Sequence, residues 1–157
     1  MKRLGYSIAL LVFVLDQLSK YWVTAILDLR TRGYVELLPV FNLTWVENRG
    51  VSMGLFRAAG DAERWLLVGV TLAIAVGVAW WIAREASRTD VAALGMVLGG
   101  ALGNIVDRAR YGYVVDFLDA FWHSHHFYIF NVADAAITVG VMILLLRAVL
   151  APSVKSA

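Results

Sequence analysis

The sequence has no cysteine and only two prolines in 157 residues. The missing thiols exclude disulfides, thiolate metal sites and a cysteine nucleophile together. Charge is scarce too. Charged residues make up 17% of the chain, against about a quarter in a soluble domain. The net charge of +2 is too small to mark a nucleic-acid binder. Most basic residues flank apolar runs, where membrane anchoring accounts for them. The H-E-x-x-H helix of zinc proteases and the G-x-S-x-G elbow of serine hydrolases are both absent. His123, His125 and His126 follow Trp122 without helical zinc spacing, so neither a metal nor another cofactor is expected.

What the chain has is apolar length: 61% of its residues are hydrophobic. Trp65 to Ala83 is nineteen residues without a charge, and Val91 to Val106 is sixteen. Tyr6 to Leu27 is apolar except for Asp16, Gln17, Ser19 and Lys20; Asn131 to Leu146 is apolar except for Asn131 and Asp134. A spanning helix needs roughly 20 apolar residues. The pattern predicts an all-α membrane protein with four transmembrane helices, at about 6–27, 65–83, 90–107 and 131–150. Met1-Lys2-Arg3 before an apolar run imitates a signal peptide, but Asp16 and Lys20 interrupt the run and no small-residue cleavage site follows. The first span is therefore read as retained.

Four spans put both termini on one side. Basic residues divide six to seven between the two faces, but the six lie in short segments beside helix ends, where they weigh most. The termini are thus placed in the cytoplasm and the loops at about 28–64 and 108–130 outside. Phe41-Asn42-Leu43-Thr44-Trp45 alternates with the period of a half-buried strand. Tyr34 to Leu38 is a weaker strand, and Asn48-Arg49-Gly50 reads as a turn. A small outer β-sheet over about 33–57 follows. Gly95, Gly99 and Gly103 form a small-residue stripe on the third span, which predicts close approach of another helix.

The polar residues within this apolar chain are the candidates for chemistry. Asp16 and Lys20 are four apart, the spacing of a local ion pair. Asn104, Asp107 and Arg108 share one face at the end of the third span. They read either as ordinary polar residues at a helix end or as a polar floor in which Asn104 and Arg108 hold a substrate backbone. Asn131 and Asp134 have the spacing of a capping box on the fourth span. That role explains one carboxylate but not Asp116, which lies in the apolar stretch Tyr113 to Leu118. Two carboxylates brought together at a membrane edge would share a proton, which is the chemistry of an aspartic protease.

Five segments occur in a telling order: Asp16-Gln17-Leu18-Ser19-Lys20, Asn48-Arg49-Gly50, Gly99 through Arg108, Val114-Val115-Asp116-Phe117, and Phe130-Asn131-Val132-Ala133-Asp134. Together the chain resembles the bacterial lipoprotein signal peptidases, or signal peptidase II, over roughly residues 10 to 145. The resemblance implies a multi-pass aspartic endopeptidase of the inner membrane, with a β-sheet cradle and a short outer helix at the extracytoplasmic face. It implies Asp116 and Asp134 as the catalytic pair. Asn48, Gly50, Asn104, Arg108 and Asn131 match positions that line the site or hold substrate; Asp16, Lys20 and Asp107 match supporting positions. The implied partner is a prolipoprotein carrying diacylglyceryl-cysteine, cut just before that cysteine, with membrane lipid around a monomeric enzyme and no nucleic acid. Met53, Tyr128 and Ala135 depart from the common phenylalanine, proline and serine of that pattern. The rival reading is a small proton- or ion-coupled transporter using Asp16, Lys20 and Asp134 as a relay. The two halves, however, share no motif of the kind that repeat-built transporters show.

Overall fold

A computed structural model describes residues 1–50, 60–122 and 125–150, without the side chains of 60, 122 and 125–127. Met53 and His123 lie outside the described residues. Four helices are long and apolar enough to cross a membrane. They are α1 (Lys2–Tyr21, continued by a π-helical turn at Trp22–Ile26), α3 (Gly60–Arg84), α4 (Arg88–Tyr111) and α5 (Val132–Leu150). The third span is longer than its uncharged core. Ser87 caps its start by accepting from the Asp90 amide, and Gly112, at φ +80°, ends it in the left-handed conformation. Arg64 at the start of α3 donates to the carbonyls of Arg108 and Ala109, satisfying orphan acceptors of the last turn of α4. Outward-facing Leu10, Leu66, Val70 and Leu145 are more than half exposed, which only a lipid environment makes favourable.

Helix α4 is the most enclosed of the four, and its glycines explain why. A Cβ at Gly95 or Gly99 would collide with the backbone oxygen of Gly5 or Ala9 in α1, and one at Gly103 with the Asp16 carboxylate. The predicted stripe is thus the α1–α4 seam. Gly100 faces the other way, against the Ala133 carbonyl of α5. These contacts carry α1 and α5 to within backbone distance of the same helix.

At one end of the bundle lies a four-stranded antiparallel sheet in sequence order: β1 (Tyr34–Leu38), β2 (Phe41–Asn48), β3 (Val114–Trp122) and β4 (His125–Phe130). A short helix, α2 (Leu29–Arg32), precedes it. The stretch 108–130, expected as an outer loop or helix, is instead the end of α4 followed by a strand pair. Its signal is hidden because Val114, Val115, Asp116 and Phe117 are all buried. A strand covered on both faces loses the alternation that marks a half-buried one. Val115 and Phe117 pack with Val23, Leu29 and Leu43 under the sheet.

Candidate active site

The sheet and the helix ends converge on two linked groups of polar side chains. The inner group is centred on Lys20. Its ammonium lies 2.9 Å from Asp16 and 2.8 Å from Asp107 and donates to Asn104 Oδ1 at 3.2 Å. Gln17 Nε2 donates to both carboxylates at 3.2 Å. All three charged residues are buried, so the expected local pair is a triad between α1 and α4. Each acid also holds backbone. Asp16 Oδ1 accepts from the Ala133 amide at 3.0 Å, and Asp107 Oδ2 from the Val115 amide at 3.1 Å. Ala133 and Val115 are the residues directly before Asp134 and Asp116. The Lys20 triad therefore sets the spacing of the two chain segments that present those aspartates.

The outer group is joined through Asn131. Its Nδ2 donates to Asp116 Oδ1 at 2.6 Å and to Asn104 Oδ1 at 3.2 Å. Its Oδ1 accepts from the Asp134 amide at 2.9 Å, and its own amide donates to Asp134 Oδ2 at 3.3 Å. That reciprocal pair is the predicted capping box, so the capping role and the junction between the two aspartates belong to one residue. Asn104 Nδ2 donates to Asp134 Oδ1 at 2.8 Å, so both ends of its amide are bonded inside the protein. Asn48 Nδ2 donates to Asp116 Oδ2 at 2.9 Å. Asn48 Oδ1 accepts from the Gly50 amide, in a turn that needs glycine because φ is +92° there. Arg108 has a buried Nε with no hydrogen-bond partner among the described residues, and its Nη2 lies 4.0 Å from where a Cβ on Gly50 would begin.

Burial raises the pKa of Asp116 to about 6, the Asn48 hydrogen bond opposes the rise, and the charge of Asp134 adds to it. Asp116 therefore holds a proton closer to neutrality than an ordinary carboxyl group. Two openings flank the aspartates. A cavity of about 670 Å³ is lined by Asn48, Arg49, Gly50, Asp116 and Tyr128. One of about 350 Å³ is lined mainly by apolar side chains, including Phe130, Ala135 and Val139, with Asp134 at its edge. Water and a peptide have room to reach the pair.

Every candidate residue read from the sequence lies in one of the two groups or beside them. Gln17 joins the inner group without being a sequence candidate; its signal is its place between Asp16 and Lys20. Buried Asp119 was missed. It accepts from the Thr44 hydroxyl at 2.8 Å and ties β2 to β3. A second acid three residues beyond Asp116 was the available sign.

The family model for "Signal peptidase (SPase) II" matches residues 8–150. The chain is 55% identical over 152 residues to the lipoprotein signal peptidase of Rhizorhabdus wittichii, covering 95% of this chain and 87% of that protein. It is 52% identical to that of Sphingopyxis alaskensis, covering 94% and 86%. Two bacterial membrane enzyme structures solved by the in meso method share the fold at 28% identity. Their TM-scores are 0.79 and 0.81; the matches cover 97% and 95% of this chain, and 91% and 94% of theirs. With a match along nearly its whole length, the chain belongs to the signal peptidase II family, the lipoprotein signal peptidases.

Proposed function

We propose that Asp116 and Asp134 are the catalytic pair of this lipoprotein signal peptidase and that Asp116 is the proton donor. Asp134 takes a proton from a water molecule, whose oxygen attacks the scissile carbonyl carbon. Asp116 gives its proton to the carbonyl oxygen. The tetrahedral intermediate then breaks its C–N bond as Asp134 gives the water-derived proton to the leaving amine and a hydroxyl of the intermediate returns a proton to Asp116. No covalent enzyme intermediate forms. The negative charge of Asp134 adds to the proton affinity of Asp116. The observation that carries this reading is Asn131, one side chain that orients both aspartates while bringing no charge to quench either.

Asn48 and Gly50 line the opening on the Asp116 side, and the Arg108 guanidinium lies behind Gly50, a cation placed to support substrate backbone held there. The substrate is a prolipoprotein whose cysteine carries diacylglycerol, cut just before that cysteine. Its acyl chains stay in the bilayer, reached laterally, while water enters from the sheet side. The basic flanks of Lys2, Arg3, Arg84, Arg88 and Arg147 support cytoplasmic termini and hence an active site at the extracytoplasmic face of the inner membrane. One chain holds both aspartates, so a monomer suffices.

Mass spectrometry of a lipidated precursor incubated with purified protein tests the proposal, since it reports activity and the bond cut. Asp116→Asn and Asp134→Asn should each lower turnover by about a thousandfold or more while the protein remains membrane-inserted. Normal turnover by either variant would overturn the assignment.

A further inference from the structure

Tyr128, on β4, has a distinctive place in the fold. In the sheet it pairs with Ala120, and Phe130 pairs with Leu118. Ala120 and Leu118 are four and two residues beyond Asp116 on β3, so they share its face. Tyr128 therefore stands on the face of the sheet that carries Asp116. Its side chain is 61% exposed. Among the described residues it alone lines both flanking cavities, the polar one beside Asp116 and the apolar one beside Asp134. Its hydroxyl makes no hydrogen bond to another described residue. Lost hydration and the charges of Asp134 and Asp116 raise its pKa, so it remains a donor at neutral pH.

We propose that Tyr128 is a specificity-determining, substrate-positioning residue: its ring is the wall between the two cavities, and its hydroxyl donates to a main-chain carbonyl beside the scissile bond. A peptide lying across the two aspartates must pass this ring. The side chain just before the cut enters the apolar cavity, and the ring limits its size. The inference rests on the catalytic assignment above and adds a size filter to it.

The test uses full-length enzyme in detergent–lipid micelles and lipidated precursors that differ only in the residue before the modified cysteine, from alanine through valine to leucine. Tyr128→Ala should raise the leucine-to-alanine ratio of kcat/KM by about tenfold, the scale of a few methylenes in an apolar pocket. It should also raise KM for the alanine precursor about fivefold while kcat changes less than about twofold. Tyr128→Phe should keep the size ratio and raise KM only about twofold to threefold, isolating the hydroxyl. Should the alanine variant fail to fold, Tyr128→Leu must move the size ratio in the same direction. An unchanged ratio in the folded variant overturns the wall. A lower kcat at constant KM in both the alanine and phenylalanine variants overturns the positioning role. Asp116→Asn, run beside them, separates the two readings: its full activity would remove the catalytic assignment and leave the size ratio standing as a binding property.

Discussion

Asp16 and Asp107 share a lysine; Asp116 and Asp134 share an asparagine. The first pair surrounds a cation that donates to both carboxylates, with Gln17 adding further bonds. Among the described residues, the second pair is oriented by neutral amides, from Asn131, Asn104 and Asn48. A shared cation draws both acids to itself and locks them in place. A shared amide fixes position but leaves net negative charge, which burial and mutual repulsion turn into proton affinity. The two groups lie side by side, linked by Asn104 and by two backbone amides, yet one is built to hold and the other to react.

Breaking the first group should have the largest effect. Lys20→Met strands two buried acids, and loss of one partner from such a set costs about 3–5 kcal/mol. Thermal unfolding in detergent should show that loss, and turnover should fall with it because Ala133 and Val115 lose their fixed spacing. Asp116→Asn should lose turnover alone. A Lys20→Met protein as stable as the parent would remove the distinction between the groups.

A smaller effect separates the helix seams. Gly99→Ala drives a methyl into the Ala9 carbonyl and should destabilise by about 1–3 kcal/mol. Gly77 on α3 has nothing within 4 Å, so Gly77→Ala should be neutral or stabilise by up to about 1 kcal/mol. Equal unfolding temperatures for the two variants would show that the α1–α4 seam tolerates widening.

The finest test concerns the second group. Asn48 favours ionised Asp116, so Asn48→Ala should raise the Asp116 pKa above about 6. If Asp116 donates the proton, activity falls as pH rises through that value. Removing Asn48 should therefore move the alkaline limb of kcat/KM to higher pH, by about one unit or less. A limb that stays in place, or moves to lower pH, contradicts the assignment of Asp116 as the acid.

Much of this was legible before the structure. Alternation in Phe41–Trp45 marked a strand, and the apolar residue at its centre, Leu43, is the one that β2 buries. The Asn131–Asp134 spacing marked a cap because the orphan amides of a helix start are a local problem with a local solution. The opposite case is β3. Its buried run carries no period, so its pairing with β2 and β4 was invisible. Asn104 was read as a possible substrate holder, yet both ends of its amide are turned inward, toward Lys20, Asn131 and Asp134. Nothing in one residue's neighbours along the chain reveals which partner across the fold will claim it.

The sequence by itself determined the four spans, the membrane as solvent, the glycine seam and the set of polar residues available for chemistry. These follow from apolar run length, helical period and the high cost of an unpaired charge in lipid. Only the tertiary structure decided how those residues are divided. Packing of α1 and α5 against α4 delivered Lys20 to one pair of acids and Asn131 to the other. Hydrogen bonds between segments distant in the chain depend on which backbones meet, and that is set by the fold as a whole.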